Sequence, residues 1–304
     1  MYGNGWYHIA YSHELKPGII KSLFYFGRDL IVFRGEDKKV RVYNAHCPHL
    51  GAHLGKGGKV IGNAIRCPFH GWKFCGEGNC IEIPYAKRIP PNAKLHSYPA
   101  EEKNGLVFMY YHAENKKPES FIPTVPEYTS AQWTKYKIFK WKFRSRVEEV
   151  IENITDLAHF KFIHGTEDVP EAQLEITPDR FHLIHTSNAK LIKKYLPTTM
   201  HVNIFSPGYL TARVNQTLDI IIHVSVTPID SNYVKQHFTI AINKNANPLL
   251  RLLLTPIFLY TIRKQFEEDI AIFENRIIPE KLLICDGDAL IVRYRKWYSQ
   301  FYSN

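Results

Sequence analysis

The chain has 304 residues, of which 45% are hydrophobic and 22% are charged. These fractions are typical of a globular protein with one large core or two medium ones, and they exclude a disordered or collagen-like chain. The 39 basic and 29 acidic residues give a net charge of +10. Because the basic residues are scattered and no nucleic-acid-binding motif is present, this charge argues against a nucleic-acid-binding protein. A positive surface would attract an acidic electron donor such as a ferredoxin, and a merely solvated basic surface is the alternative.

Residues 1–113 predict short β-strands separated by turns. Segments 30–33 and 40–43 flank a Gly-Glu-Asp-Lys stretch, a pattern typical of a β-hairpin. Segment 105–111 is predicted to be the last strand of this region, and a polar connector with three prolines follows at 115–126. The first part of the chain is therefore predicted to be an all-β domain.

Two short loops in this region carry a metal-binding motif. Cys47 and His49 form a C-x-H pair, and after seventeen further residues Cys67 and His70 form a C-x2-H pair. Each loop thus offers one thiolate and one imidazole, as a Rieske [2Fe-2S] cluster requires, since cysteines hold one iron and histidines the other. A zinc site, the alternative, usually pairs Cys with Cys and His with His. We therefore predict that Cys47, His49, Cys67 and His70 bind a [2Fe-2S] cluster in a redox protein.

Three further cysteines are not needed for this cluster. Cys75 and Cys80 flank a predicted hairpin turn, and Cys285 lies near the end of the chain. A disulfide across the hairpin is one alternative, but we favour free thiols in a reducing cytosol. The first ten residues lack the basic segment and apolar run of a signal peptide, so we expect a cytoplasmic protein.

The second half of the chain predicts a helix, several strands and a second long helix. The helices cover about 147–163 and 257–275. The segments with strand character between them are 181–184, 200–205, 218–226 and 233–242. This order favours an α+β arrangement in which helices pack on an antiparallel sheet.

The most apolar segment, 248–260, is too short to span a bilayer. Arg251 and Pro256 interrupt it. A core helix or a substrate gate is the favoured interpretation, and a contact with a membrane surface is the third.

The first predicted helix of the second half carries polar residues on its apolar face. At ~100° per residue, Asn153, Asp156 and His159 fall on one stripe. Since burying polar groups without partners is unfavourable, they need a function. His164 lies about 140° further round an ideal helix than His159, so both reach one metal only if the helix ends there. Gly165 is placed to permit that end.

A mononuclear iron held by two histidines also needs one carboxylate and open positions for O2. The last helix offers Asp269, which shares an apolar stripe with Phe266 and Phe273 at helical spacing. A buried carboxylate without a cation is unfavourable, so His159, His164 and Asp269 are the predicted Fe(II) ligands. The alternative for Asp269 is a core residue that caps a nearby backbone group.

Four other acids are weaker candidates for the third ligand. Glu267 is predicted to point away from the apolar stripe, and Glu268 lies on its flank. Asp286 and Asp288 lie in a glycine-containing turn.

Taken together, these motifs resemble the catalytic α subunits of the Rieske non-haem iron oxygenases over nearly the whole sequence. Gly5-Trp6-Tyr7, the two cluster loops, the Asp156-x2-His159-x4-His164 motif and Asp269 carry the resemblance. Within that family the chain is most similar to 3-ketosteroid 9-alpha-hydroxylase oxygenase components and cholesterol 7-desaturases. Segments 83–90 and 295–298 carry this narrower likeness.

The resemblance implies a Rieske domain at 1–113 and a helix-grip catalytic domain with the mononuclear iron at 114–304. It also implies a head-to-tail homotrimer, a closed ring in which the cluster of one subunit faces the iron of the next. By that likeness Asp156 bridges His70 of one subunit to His159 of its neighbour. Its carboxylate is expected to accept a hydrogen bond from the second ring nitrogen of His159. Asn153, on the same stripe, is the other expected catalytic residue.

We therefore expect the oxygenase component of an O2-dependent hydroxylase for a bulky, steroid-like substrate. No nucleotide-binding fingerprint is present, so electrons from NAD(P)H are expected to come through a separate flavin reductase, directly or through a ferredoxin. Desaturation and oxidative demethylation are the alternatives on the same scaffold. A simple Rieske electron carrier would have no use for the second metal site. We expect a pocket for a fused-ring molecule, lined by segments 200–205, 218–226 and 249–260.

Overall fold

The computed structural model describes residues 1–191, 193–277, 279 and 281–303. The first part of the described chain forms three small antiparallel sheets. Their strands are β1 (Gly5–Tyr11), β2 (Ile20–Tyr25), β3 (Arg28–Arg34), β4 (Val40–Asn44), β5 (Lys59–Ile61), β6 (Ala64–Arg66), β7 (Lys73–Phe74), β8 (Cys80–Glu82), β9 (Ser97–Tyr98), β10 (Ala100–Lys103) and β11 (Leu106–Tyr111).

Two of these sheets hold the cluster loops. Their strand orders are β2-β3-β4-β9 and β5-β6-β7-β8. The predicted hairpin is confirmed, because β3 and β4 pair with Leu30 opposite Asn44 and Arg34 opposite Val40. The loop of Cys47 follows β4, and the loop of Cys67 connects β6 to β7. A small apolar core beneath both loops is formed by Ile31, Phe33, Leu54, Ile65 and Phe74.

The second part of the chain is built on one antiparallel sheet of seven strands. The strand order is β12-β18-β17-β16-β15-β14-β13. The strands are β12 (Lys137–Arg144), β13 (Glu171–Thr177), β14 (Arg180–Leu191), β15 (Lys194–Ser206), β16 (Tyr209–Asn215), β17 (Asp219–Pro228) and β18 (Tyr233–Ile242). Together with the helices that pack on it, this sheet confirms the predicted α+β class.

Side chains alternate between the two faces of this sheet, as in any β-strand. In β17, Ile220, Ile222 and Val224 face a cavity beneath α3, the helix Pro248–Asn275. His223 and Ser225 occupy the alternate positions and are also buried, but on the opposite face. There Ser225 Oγ lies 2.9 Å from Nδ1 of His8 in β1, so the first part of the chain packs against this outer face.

Four helices complete the second part of the described chain: α1 (Val147–Glu152), α2 (Leu157–Phe162), α3 and α4 (Ala289–Tyr298). Helix α3 lies across the sheet. Its Phe266 ring is 4.7 Å from the ring of Trp141 and 4.8 Å from that of Phe238. This aromatic cluster fixes which face of α3 points towards the sheet.

Two helix predictions are wrong in their bounds. The predicted helix 147–163 is interrupted, because Asp156 has an extended backbone (φ −82°, ψ 93°) between a short 3₁₀ turn and α2. Helix α3, predicted at 257–275, starts at Pro248, nine residues before the predicted 257, and continues through Pro256. A proline inside a helix removes one hydrogen bond and its ring crowds one turn. Tertiary packing can outweigh this helix-breaking effect.

The strand predictions located four strands and missed three. The segments at 181–184 and 200–205 are parts of the longer strands β14 and β15. Strands β12, β13 and β16 were not predicted, although each alternates apolar with polar residues, as Phe139, Trp141 and Phe143 alternate with cationic residues in β12. None of the described helices is long and apolar enough to cross a membrane.

Candidate cluster and iron sites

The two cysteine loops of the first domain have the same backbone shape. Gly51 and Gly71 adopt left-handed φ angles of 74° and 75°. The N–H of each glycine donates to the carbonyl of the cysteine four residues earlier, Cys47 at 2.9 Å and Cys67 at 3.3 Å. Only glycine takes this conformation without strain. Two matched turns thus present two cysteines and two histidines to one place.

The donor atoms of these loops fit an iron–sulfur cluster. Cys47 and Cys67 are each 3% exposed. Burial raises the pKa of the Cys47 thiol to about 11, and the neighbouring Cys67 thiol acts in the same direction. The rings of His49 and His70 lie 4.8 Å apart. His70 Nδ1 is buried and has no hydrogen-bond partner among the described residues, so its lone pair is available to a metal.

Two neighbours of the cluster histidines were not predicted. Trp72 stacks on His49 with ring centroids 4.6 Å apart and planes at 8°. The Trp72 Nε1–H donates to the Tyr85 hydroxyl at 2.9 Å. The aromatic residue after His70-Gly71 was the only sequence signal for this support. The Trp72 ring restricts the orientation of the His49 imidazole, which is partly exposed.

In the second domain His159, His164 and Asp269 come together. One ligand atom from each lies within 4.8 Å of the others. His159 is 7% and Asp269 is 6% exposed. Helix α2 supplies His159 and the turn after it supplies His164, while Asp269 comes from α3 more than a hundred residues later.

The end of α2 is what turns His164 towards His159. The helix stops at Phe162, and Gly165 has a φ of 68°. The Thr166 N–H then donates back to the Phe160 carbonyl at 3.0 Å, which closes the helix end. The expectation that the helix ends here, with Gly165 permitting it, agrees with this geometry.

Asp269 is the acid of α3 that faces the histidines. It lies on the buried stripe with Phe266 and Phe273, whereas Glu267 is exposed. Glu268 lies on the flank, with its Oε2 3.6 Å from His164 Nδ1. Asp286 and Asp288 lie in a separate 3₁₀ turn before α4 and do not join this group.

The electrostatics of this group suit a cation. Asp269 Oδ1 lies 3.2 Å from His164 Nε2, yet this buried oxygen accepts no hydrogen bond from the described residues. Burial lowers the pKa of His159, and the charge of Asp269 opposes that shift. A neutral imidazole is the metal-binding form. Two imidazoles and one carboxylate match the facial triad of non-haem iron.

Asp156 contacts His159 in a way that the sequence did not predict. Its carboxylate does not accept from the imidazole; instead Oδ1 accepts from the His159 backbone N–H at 3.3 Å and caps α2. The ring nitrogen Nδ1 of His159 donates to the backbone carbonyl of Asp156. The prediction of a carboxylate–imidazole hydrogen bond is therefore wrong, because the helix break brings the carbonyl to the ring.

Asn153 approaches the other nitrogen of the same ring. Its Nδ2 lies 3.3 Å from His159 Nε2. Because Nδ1 donates to Asp156, Nε2 carries the lone pair. A metal requires the same lone pair, so Asn153 must release it when iron binds.

An apolar cavity of about 210 Å³ opens from the triad between the sheet and α3. Met200, Ile220, Ile222, Val224 and Phe258 line it. Its volume is below the ~300–1,000 Å³ of typical ligand pockets, so a fused-ring molecule requires α3 or its side chains to move outward.

The contribution of the leucine-rich segment was predicted wrongly. Leu249, Leu252 and Leu253 are 65%, 72% and 58% exposed and do not line the cavity. Only the later part of the segment, at Phe258, reaches it.

Three polar cavity residues were not predicted. His185 and Gln236 are each 2% exposed, and Gln216 has a buried Oε1. Burial lowers the pKa of His185 to about 4, so its imidazole is neutral at pH 7. His185 continues the inward alternation of Phe181 and Leu183 in β14, a signal that a longer predicted strand would have shown.

Comparisons with known proteins match both halves of the chain. The family model of the Rieske [2Fe-2S] domain matches residues 5–99, and that of the 3-ketosteroid 9alpha-hydroxylase C-terminal domain matches 109–302. A cholesterol 7-desaturase of Xenopus laevis is 33% identical over 336 residues, covering 100% of this chain and 72% of the relative. A probable 3-ketosteroid-9-alpha-monooxygenase oxygenase component of Rhodococcus rhodochrous is 27% identical over 327 residues, covering 99% and 80%.

Solved structures share the fold. Dicamba monooxygenase bound to dicamba superimposes with a TM-score of 0.77 at 16% identity, covering 98% of this chain and 96% of that structure. NdmB of Pseudomonas putida CBB5 gives 0.77 at 19% identity, covering 96% and 89%.

The fit of both donor sets and the Rieske domain match assign a [2Fe-2S] cluster and a mononuclear iron to this chain. The two family models together leave few residues unmatched. The chain is therefore an oxidoreductase that belongs to the Rieske oxygenase family of 3-ketosteroid 9-alpha-monooxygenase oxygenase components and cholesterol 7-desaturases.

Proposed function

We propose that this chain is the oxygenase component of a system that hydroxylates a bulky, steroid-like molecule at a C–H bond with O2. The observation that carries the proposal is the apolar cavity that opens directly from His159, His164 and Asp269. Relatives of the chain are named for cholesterol and 3-ketosteroids. The aliphatic strand residues that form the cavity wall suit such substrates.

In this proposal the two metal sites divide the residues between them. Cys47, His49, Cys67 and His70 hold the cluster in a domain that ends at residue 113. The domain at 114–304 holds the iron through His159, His164 and Asp269. When bound, the iron activates O2 for removal of hydrogen from the substrate.

The protein's own contribution is orientation and exclusion of water. The hydrogen bond from His159 Nδ1 to the Asp156 carbonyl fixes the ring and its tautomer. Phe160 packs against His164 and His185 and closes one side of the site. The aliphatic strand residues that line the cavity would hold a substrate carbon beside His159, His164 and Asp269.

Electrons require partners in this proposal. A separate flavin reductase, with or without a ferredoxin, supplies them from NAD(P)H, and three copies of the chain form a ring. Asp156 is partly exposed and borders a surface groove with Arg276 and Arg295. This position supports its role as the link between His159 and His70 of the neighbouring subunit, with Asn153 beside it as the second residue at that link.

We place the protein in the cytoplasm with a peripheral membrane contact. The exposed leucines at the start of α3, Leu249, Leu252 and Leu253, support that contact. Apolar side chains of this kind enter the lipid interface.

Desaturation is the second candidate. The cholesterol 7-desaturase of Xenopus laevis has a higher identity to this chain, 33%, than the Rhodococcus monooxygenase at 27%. Hydroxylation and desaturation both start by removing hydrogen from carbon, and the position of the substrate over the iron decides between the two products. Oxidative demethylation is the third outcome of the same chemistry.

The test is turnover by the iron-loaded chain with a ferredoxin and reductase pair, NADH and ¹⁸O2. Cholesterol, 3-ketosteroids, aromatic acids and small amines are offered, and products are read by mass spectrometry. Hydroxylation adds one ¹⁸O to a steroid, whereas desaturation removes two hydrogens without adding oxygen. Turnover of only the small polar compounds would overturn the steroid assignment.

A further inference from the structure

The inner face of the seven-stranded sheet is apolar except at a few positions. Thr198 in β15 and Gln216 just after β16 are neighbours at one end of the cavity wall. His185 in β14 pairs with Met200, the next cavity-facing residue after Thr198 in β15. Gln236 lies in β18 towards the other end of the cavity wall. Buried polar groups without partners are rare in proteins, so these positions point to something that the cavity binds.

The hydrogen bonds around Thr198 fix the orientation of the Gln216 amide. The Thr198 hydroxyl donates its single proton to the Leu196 carbonyl at 3.1 Å. It can therefore only accept from Gln216, and the Gln216 Nε2–H donates to it at 2.7 Å. The amide oxygen must then point the other way.

That oxygen is a bare acceptor. Gln216 Oε1 is buried and, within the part of the chain that the structure describes, no group donates to it. Such an acceptor is satisfied by a donor, such as a hydroxyl, and not by a ketone, which can only accept.

We infer that Gln216, held by Thr198, forms a subsite for the hydroxyl group of an otherwise apolar alcohol. This inference rests on the proposed function, since it places the steroid-like substrate in this cavity. It narrows the substrate class from steroids in general to hydroxysteroids. Gln216 is thus a specificity residue and has no part in the oxygen chemistry.

Gln236 and His185 do not provide the same discrimination. Among the described residues, nothing donates to Gln236 Oε1 and no hydroxyl of fixed direction holds its amide, so either end can turn to the ligand. Neither ring nitrogen of His185 has a hydrogen-bond partner in the described part of the chain. Its neutral ring offers one donor and one acceptor, so it serves an alcohol or a ketone equally.

The experiment compares two ligands that differ only at this oxygen, 5α-cholestan-3β-ol and 5α-cholestan-3-one. Their dissociation constants are measured on the iron-loaded protein by displacement of the fluorescent sterol dehydroergosterol. We expect the native protein to bind the alcohol about tenfold more tightly than the ketone. Gln216→Leu should remove that preference by weakening the alcohol alone.

Thr198→Val is the second variant, because it keeps the shape of the side chain but lets the Gln216 amide rotate. It should reduce the preference to about twofold or less while both ligands still bind. Gln236→Leu is the matched control and should leave the preference unchanged. Thermal unfolding of each variant shows whether it is folded.

The outcomes separate this inference from the function on which it rests. If the native protein binds both steroids equally, or if the preference survives in Gln216→Leu, the hydroxyl subsite is wrong and the steroid cavity stands. A preference that disappears only in Gln236→Leu also overturns the inference. If neither steroid binds nor is turned over, the proposed function itself fails.

Discussion

The cluster loops and the iron site differ in how far apart their residues lie in the chain. The four cluster ligands lie between Cys47 and His70, in two short loops. Each loop is closed by its own glycine and backbone hydrogen bond. His159 and Asp269 come from separate elements, and only the packing of α3 on the sheet brings them together. One site is thus a property of local turns and the other a property of the tertiary fold.

This difference has an energetic consequence. The cluster loops rest on a small core of their own, whereas the iron site depends on the aromatic contacts between α3 and strands β12 and β18. Anything that loosens α3 separates Asp269 from the histidines without touching the loops. The two metals should therefore respond independently to mutation.

The largest expected effect is that of Asp269→Ala. Loss of the carboxylate should abolish binding of the mononuclear iron and reduce turnover at least ~100-fold, as even indirect metal contacts matter by 10–100-fold. The Rieske-type EPR signal of the reduced protein should remain. Glu267→Ala, on the exposed side of the same helix, is the control. If Glu268→Ala or Asp286→Ala removes the iron while Asp269→Ala keeps it, the proposed third ligand is wrong.

His70→Ala makes the reciprocal change in the loops. It removes a ligand whose Nδ1 is buried and unpartnered among the described residues, so the Rieske EPR signal should be lost or replaced. The mononuclear site should still take up Fe(II), measured by metal analysis after reconstitution. Zinc in place of iron and sulfide in the native loops would refute the cluster assignment, and loss of both metals in this variant would contradict their independence.

Asp156→Asn tests the connection between the two sites. Asparagine caps a helix about as well as aspartate, so α2 should persist, and the backbone carbonyl that holds His159 is unchanged. Both metals and the oligomer should be retained, whereas cluster reoxidation in a single turnover should slow by more than ~10-fold if the carboxylate links subunits.

The control for this prediction is stopped-flow reoxidation of the reduced native protein with substrate and O2. Normal reoxidation and normal product formation in Asp156→Asn would exclude the link. Full turnover by a monomer would exclude it as well, since the link needs a second subunit.

The smallest expected effect concerns the outer face of the sheet. His223 is fully buried between the hydroxyls of Tyr136 and Tyr209, and burial lowers its pKa to about 3. The unfolded chain, with a pKa of about 6.5, binds the proton first, so stability should fall as pH decreases from about 6.5 to 3. This group contributes at most about 1.4 kcal/mol per pH unit.

His223→Gln should make the free energy of unfolding less dependent on pH over that range, as followed by urea denaturation. His13→Gln, at an exposed position, is the control. An unchanged slope in His223→Gln would show that the buried ring does not control acid stability.

The sequence predicted most where the relevant structure is local. The C-x-H and C-x2-H loops, the hairpin before them and the end of α2 at Gly165 depend on residues that are close in the chain, through turn geometry and hydrogen bonds. The helical periodicity of Phe266, Asp269 and Phe273 also predicted which acid faces inward. The Rieske oxygenase family was recognised from the cluster loops, the histidine pair and Asp269, and the narrower steroid group from segments 83–90 and 295–298.

Features that depend on distant partners were predicted incompletely. The helix break at Asp156 and the start of α3 at Pro248 are decided by packing against neighbours that no local pattern reveals. His185 and Gln216 entered no motif, because a polar residue indicates a ligand contact only once its side chain is known to line a cavity.

The sequence by itself therefore determined the chemistry of this protein: the types of ligand, their spacing in the loops and the kind of cofactor that they suit. Only the tertiary structure decided the distances within the triad, the tautomer of His159 and the direction of the Gln216 amide. The physical reason is that ligand chemistry belongs to individual side chains. The position of a lone pair depends on hydrogen bonds between elements that meet only when the sheet and α3 are packed.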